Sequence, residues 1–338
     1  EGSLVTIRNT TGVAVEGFTL RGTGDSLDHE DAAVVVEQAT ARISGNRIED
    51  ALFGIYLKQA PDSVVRDNVI LGKEIDIARR GDGIKVWYSD RVTIENNLAS
   101  DGRDVILWYS HDGVVRNNAF DRNRYGLHLM YSDGALIEGN SMSESSIGLY
   151  IMFARDPRVI GNRIVNNHGP IGGGIGLKDV DGAVIEGNRL VNNLTALHVD
   201  TSPRSLGIEN VIRGNVFAYN QAGIGFLPSV RNNTVVGNTF LDNTEHVAVI
   251  GRGQLQEITW AENGRGNYWS DYAGYDADGD GIGDVPYRSQ RLFESLTDGA
   301  PLLRLFTWTP AASAVDFAAR AMPFARPEEK LADPAPLM

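Results

Sequence analysis

Few side chains in this sequence can do metal or nucleophilic chemistry. There is no cysteine among the 338 residues, so thiolate sites and disulfides are excluded and soft-metal binding falls to six histidines and five methionines. His128 and Met130 stand two residues apart, hence on one face of a strand, and Met152 follows Met130 by 22 residues. If that spacing is one turn of a repeat, an imidazole and two thioethers meet, a set suited to Cu(I). A hard cation suits the run DADGDGIGD, where Asp276, Asp278, Asp280 and Asp284 alternate with small residues that permit a sharp turn. Calcium is the functional reading. Position twelve counted from Asp276 is Tyr287 and not Glu, so the run is no EF-hand loop, and an acidic solvated turn accounts for the same residues. A third set, Asp82, Arg103 and Asp104, offers two carboxylates as acid and base, although Asp82 lies in R-G-D-G, a turn signal by itself. Gly169 to Gly176 is glycine-rich but lacks the G-x-x-x-x-G-K-S/T frame that cradles phosphates, so any use of ATP belongs to a partner.

A repeat must position these residues. The phrase apolar-x-Gly/Asn/Asp-Asn-x-apolar recurs as ISGNRI, VRDNVI, IENNLA, VRNNAF, IEGNSM, VIGNRI, IEGNRL, IRGNVF and VVGNTF. Its asparagines are Asn46, Asn68, Asn97, Asn118, Asn140, Asn162, Asn188, Asn215 and Asn238, at intervals of 21 to 29 residues. Each unit carries a second segment with period-two alternation, among them GIYL, DVILW, GLHLM and GLYIM, which is strand and not helix. A unit this short cannot bury its own apolar face and must stack on copies of itself. The predicted fold is therefore all-β, a right-handed parallel β-helix of about ten or more coils of ~22 residues. Asparagine is expected at the turn because it tolerates left-handed backbone and its amide can hydrogen-bond up a column.

Alternation sends Ile55, Ile84, Val105, Leu127 and Leu149 inward and leaves two outward columns. One reads Tyr56, Lys85, Ile106, His128, Tyr150, Gly176, His198; the other reads Lys58, Trp87, Trp108, Met130, Met152, Lys178, Asp200. An outer face should be polar, yet four successive coils present Trp, Trp, Met, Met. Three readings stay open: packing within the chain, a protein-docking surface, or the soft-metal site of His128, Met130 and Met152. His198 shares the column of His128 but lies three coils away, too far to share an ion. The surplus residues of two longer units, Gly72 to Arg80 and Asn167 to Gly173, border the stripe, and the second brings His168. Trp87, Trp108, Tyr150 and His168 are the partner-binding candidates here.

Beyond the repeats the character changes, which divides the chain into β-helix (1–263), a closure segment with the Asp-rich run (264–308) and a C-terminal helix with an extended arm (309–338). Pro310 sits at a first helical turn, Val315, Ala318, Ala319 and Met322 follow at helical spacing as a docking face or cap, and Pro323 stops the helix. A net charge of 31 − 44 = −13 argues against nucleic acid as partner. No apolar run approaches the ~18 to 20 residues of a membrane span. The chain opens at Glu1 without a signal pattern, so an export signal is expected upstream.

The nine asparagine coils, the run VWYS, LWYS, LMYS, IMFA between Val86 and Ala154, the closure GNYWSDY…DADGDGIGDVPY and the tail ARAMPFARPEEKLADPAPL together resemble the NosD family, periplasmic maturation proteins of nitrous oxide reductase. The resemblance covers essentially the whole chain. It implies a β-helix of the carbohydrate-binding and sugar-hydrolase type without enzymatic activity, exported to the periplasm. It also implies docking on an ABC transporter, meaning a membrane subunit with its ATPase, and passage of copper from a Cu(I) lipoprotein chaperone toward nitrous oxide reductase. No copper ligand set comes with it, so His128, Met130 and Met152 remain a reading from face and column. Two rivals stand: a scaffold that binds partners and no metal, and a polysaccharide lyase, hydrolase or epimerase acting through Asp82, Arg103 and Asp104 with aromatic rings under the sugars.

Overall fold

Every coil contributes three short strands, and like strands of successive coils pair in parallel, giving three sheets of eleven strands each. This computed structural model describes the chain apart from residues 1, 170–172, 252, 290–291, 308 and 322–328. The fold is a parallel β-solenoid, as the repeat predicts.

The asparagine phrase explains why the coils hold register. Asn46 donates from both its backbone N–H and its Nδ2 to Asn68 Oδ1, each at 3.0 Å, and Asn68 does the same to Asn97 at 3.0 and 2.9 Å. The ladder runs on through Asn140 and Asn238 to Asn267. Each rung pairs buried amides that would otherwise stand orphaned, at a cost of roughly 1–3 kcal/mol per group. The left-handed residue, however, is the one before the asparagine: Gly45, Asp67, Asn96, Asn117, Gly139 and Gly161 have φ between +55° and +63°. That is why Gly, Asn or Asp precedes each rung. A second ladder, absent from the sequence reading, climbs another corner from Asn123 through Ser145, Asn167, Asn193 and Asn220 to Asn243.

Inside, like residues form columns. Ile48, Ile70, Ala99, Phe120, Met142, Ile164, Leu190, Phe217 and Phe240 are buried one above the other, so Met142 is core and no ligand. The column ends in stacked rings, Phe240 on Trp269 at 4.3 Å and Trp269 on Tyr287 at 4.5 Å.

The C-terminal segment closes that end. A strand at Leu331–Asp333 pairs antiparallel with Tyr287–Ser289, and Asp333 is fully buried. Its carboxylate accepts from Asn267 N–H at 2.7 Å and Trp269 Nε1 at 2.9 Å, satisfying the last asparagine rung. Lys330 pairs with Glu245 beside it. The end of the expected extended docking arm is thus a plug seated on its own solenoid, because it supplies the acceptor the last rung lacks. Before it lie helix α1 (Leu292–Gly299), which the sequence reading does not foresee, and helix α2 (Pro310–Ala321), which pack together. Phe293 N–H donates to Asp316 Oδ1 at 2.8 Å. On α2, Ala319 is buried, Val315 half-buried and Ala318 exposed, so Ala319 is not free for a partner. Met322 lies outside the described residues.

Candidate functional site

The outward columns follow the predicted register. Trp87, Trp108, Met130, Met152 and Lys178 are successive neighbours, as are Ile106, His128, Tyr150, Gly176 and His198. Met130 and Met152 therefore stand side by side, both half-buried. His128 precedes Met130 by two residues on the same face, and it is only 7% exposed.

A slip in register builds the surroundings of His128. Asp104 pairs with Tyr125 but Ile106 pairs with His128, so one extra residue is accommodated at the start of the strand Tyr125–Met130. Such bulges re-aim side chains. Here the fully buried Asp104 accepts from Arg124 Nε at 2.9 Å and from Tyr125 N–H at 3.3 Å, with a second contact to the Arg124 guanidinium. Its Oδ2 is 3.4 Å from His128 Nδ1. That separation is within reach of charge but lacks hydrogen-bond alignment, and both His128 ring nitrogens are buried without a hydrogen-bond partner. Tyr150 stacks on the imidazole, centroids 5.9 Å apart, and Tyr125 meets it edge-on. Burial pushes the Asp104 carboxyl up, but His128 and Arg124 outweigh it and hold it below the usual carboxylate range.

This arrangement fits a soft metal. A ligating histidine commonly turns one nitrogen toward a carboxylate and offers the other to the ion. His128 has that disposition toward Asp104, with the thioether pair Met130 and Met152 next along its face.

Asp82, 1% exposed, lies one coil below Asp104 and accepts from Arg103 Nε at 3.2 Å, while its Oδ2 is unpaired. Burial, and then the charge of Asp104, push the Asp82 carboxyl up to about 6. The cations of this face are committed: Arg103 to Asp82, Arg124 to Asp104, Lys85 to Glu30. With both carboxylates closed off from solvent and these cations paired, the set suits neither an acidic glycan nor proton transfer to one.

Beside the Trp and Met stripe runs a feature that sequence reasoning missed. Tyr88, Tyr109, Tyr131 and Phe153 stack in a ladder with centroids 4.9 Å apart at each step. All four hold left-handed backbone, φ +47° to +54°, where the flanking coils place Gln59 and Asp179. A bulky side chain there is strained. The four rings therefore stand where the solenoid itself prefers polar residues. The signal was present in VWYS, LWYS, LMYS and IMFA, an aromatic directly after each stripe residue. Because stacked rings hide one another's faces, the ladder offers edges, not platforms for sugar rings.

The remaining candidates separate. Trp87 is half-buried; Lys58 sits over it at 5.7 Å, and Ile75 of the first inserted loop packs into the cluster it joins. Packing within the chain thus explains part of the stripe. Trp108 is half-buried with its Nε1 buried and unpaired. Tyr150, expected as a partner contact, is only 9% exposed, because its ring folds against His128 and Gly176. His168 is exposed at the edge of the second inserted loop. His198 is held below the usual histidine range by burial. Asp276, Asp278 and Asp280 bring one carboxylate oxygen each within 4.8 Å of the others. Asp284 is not of that trio; its Oδ2 accepts from Ala277 N–H at 2.7 Å across the loop. Asp276 also accepts from Gly279 and Gly281 N–H, as in a solvated turn. No helix among the described residues is long and apolar enough to cross a membrane.

Known proteins agree on this architecture. The A-module of the mannuronan C-5 epimerase AlgE4 from Azotobacter vinelandii superposes with a TM-score of 0.54 over 77% of this chain and 84% of its own, at 15% identity, a likeness of fold alone. In sequence, the chain is 35% identical to the probable ABC transporter binding protein NosD of Pseudomonas aeruginosa over 347 residues, 100% of this chain and 80% of the relative. It is 31% identical to the protein of the same description from Stutzerimonas stutzeri, over 92% of this chain and 73% of the relative. The family described as periplasmic copper-binding protein (NosD) matches residues 67–274, which span every coil of the stripe, the ladder and the His128 site. With full-length relatives and these coils in agreement, the chain belongs to the NosD family of periplasmic copper-binding proteins.

Proposed function

We propose that this chain is a non-enzymatic periplasmic subunit that docks on an ABC transporter and holds Cu(I) in transit, taking it from a lipoprotein chaperone toward the copper-sulfide centre of nitrous oxide reductase. Copper is cargo here, received at His128, Met130 and Met152. One observation carries the reading: His128 is buried with Nδ1 3.4 Å from the Asp104 carboxylate and Nε2 without a hydrogen-bond partner, on the strand face it shares with Met130, whose neighbour on the next coil is Met152. Leaving such a group unsatisfied is costly unless something else completes it. The family description and the relatives' names support copper and a transporter as the partners. The membrane subunit and its ATPase supply the nucleotide chemistry that this sequence lacks. The ladder and Trp108 form the face on which the metal-carrying protein docks, and the exposed Ala318 of α2 belongs to the transporter side. Asp276, Asp278 and Asp280 would hold calcium in a purely structural role.

An anaerobic competition titration of Cu(I) against a chromophoric chelator tests the reading, comparing the chain with a His128→Ala/Met130→Ala/Met152→Ala variant. Tight binding of one equivalent, lost in the variant, is expected. Equal binding in both, or none in either, sinks the site. The ladder would then favour the second reading, a scaffold for the protein that carries the metal.

A further inference from the structure

We infer that Gly176 is a positioning residue for His128, acting through Tyr150. The geometry stands by itself; the functional consequence rests on His128 being a copper ligand. Going up the outward column from Tyr56 through Lys85, Ile106, His128 and Tyr150, Gly176 is the first position without a side chain. Its backbone does not require glycine, since it lies inside the strand Ile175–Lys178 and its φ is not left-handed. Glycine inside a strand weakens it and often marks a close approach. Here the approach is that of a ring. A Cβ at position 176 would stand 2.7 Å from Tyr150 Cδ2 and 2.9 Å from Cε2.

Seated in that niche, the Tyr150 ring lies nearly parallel to the His128 imidazole, at 17°, while Tyr125 meets both rings edge-on with centroids 5.1 and 5.5 Å away. Asp104 stands at the Nδ1 side. The imidazole is fixed by two rings and a carboxylate, and none of the three is itself anchored by Gly176 except Tyr150. An alanine at 176 drives that ring out of the niche, and its stacked neighbour is His128, so the displacement passes to the imidazole. Residues that orient a ligating histidine change metal affinity without touching the metal.

The test uses the full chain with ¹³C-labelled histidine and four proteins: wild type, Gly176→Ala, Tyr150→Ala and the double variant. His128 is assigned by loss of its resonances in His128→Gln. The expected result is an upfield His128 ring-proton position in wild type, caused by the Tyr150 ring current, that moves downfield in Gly176→Ala toward its place in Tyr150→Ala. Gly176→Ala is also expected to lower the urea midpoint when Tyr150 is present and to leave it unchanged in the Tyr150→Ala background. Unmoved His128 resonances, or the same midpoint loss in both backgrounds, overturn the inference; the resonance comparison of wild type with Gly176→Ala decides even if the Tyr150 variants do not fold. Cu(I) competition on wild type and Gly176→Ala reads the consequence as about tenfold weaker binding. No copper on wild type refutes the copper reading and leaves the resonances to judge Gly176, whereas equal affinity in both overturns the positioning role.

Discussion

Replacing Asp82 by asparagine will make the protein more stable at neutral pH and bring little gain in mild acid. Asp82 is 1% exposed, and its carboxyl is raised from 3.8 to about 6 by burial and by the charge of Asp104. A raised carboxylate contributes stability that is full below its unfolded pKa and lost as pH rises through its folded pKa. With a folded pKa of about 6, wild type should lose about 2 kcal/mol of this contribution between about pH 4.5 and about pH 7.5. Asparagine carries no charge and keeps an oxygen for Arg103, so the variant escapes that loss. Any fixed cost of the substitution cancels when the two pH values are compared. Asp104 titrates with the opposite sign, its stabilisation falling away only as pH drops through its lowered pKa. Urea unfolding of both proteins at both pH values measures the effect as a change in ΔΔG. A ΔΔG that stays flat, or that turns against asparagine at the higher pH, would refute the claim that burial and the charge of Asp104 make the ionised Asp82 carboxylate costly.

Asn140→Ala removes the acceptor of two Asn118 groups and the donor to Val115, and is expected to cost roughly 3 kcal/mol in urea unfolding; a loss no greater than that of an exposed control would contradict the ladder's role. Asp333→Ala strips the acceptor from Asn267 and Trp269, so amide exchange should accelerate at Tyr268–Trp269 and the final coil while the coils around Asn118 stay protected. Tyr109→Asn/Tyr131→Asn relieves two strained left-handed residues and loses their stacking, leaving stability within about 1 kcal/mol of wild type. The same variant is expected to weaken binding to the metal-donating partner at least about tenfold, and intact binding would take the ladder out of the docking face. Chelation of divalent cations should change amide protection, if at all, only around 276–284, and a global loss of stability would contradict a local calcium role.

The solenoid was legible because its strongest constraint repeats in sequence: Asn46 to Asn238 mark one buried corner of nine successive coils. The second corner was hidden because Ser145 stands in its column and no flanking phrase is shared. The Trp and Met stripe and the place of His128 followed from alternation alone. What alternation cannot give is where an outward side chain lies once it leaves the sheet. Tyr150 faces outward as expected and is nevertheless buried, because Gly176 one coil on has no side chain. The Asp104 contact depends on a one-residue slip that the 21-residue interval between Asn97 and Asn118 only hints at. Helix α1 is eight residues, too short to stand without α2, so its sequence alone carries little signal. The tail reads as extended, and its described end includes the strand Leu331–Asp333, whose destination is set by the donors of Asn267 that lack an acceptor at the end of the asparagine ladder.

The aromatic ladder ends at Phe153, and four further strands of the same sheet separate its coil from the helical end. Since each coil advances ~4.8 Å, the two regions lie about 19 Å apart along the axis. Residues may change freely in the intervening coils without altering that span, whereas gaining or losing a coil changes it by one whole step. The solenoid therefore works as a graduated spacer. A complex that grips both regions at once can tolerate drift in sequence between them but not drift in coil number, and relatives that engage equivalent partners are expected to share the count between ring ladder and helices.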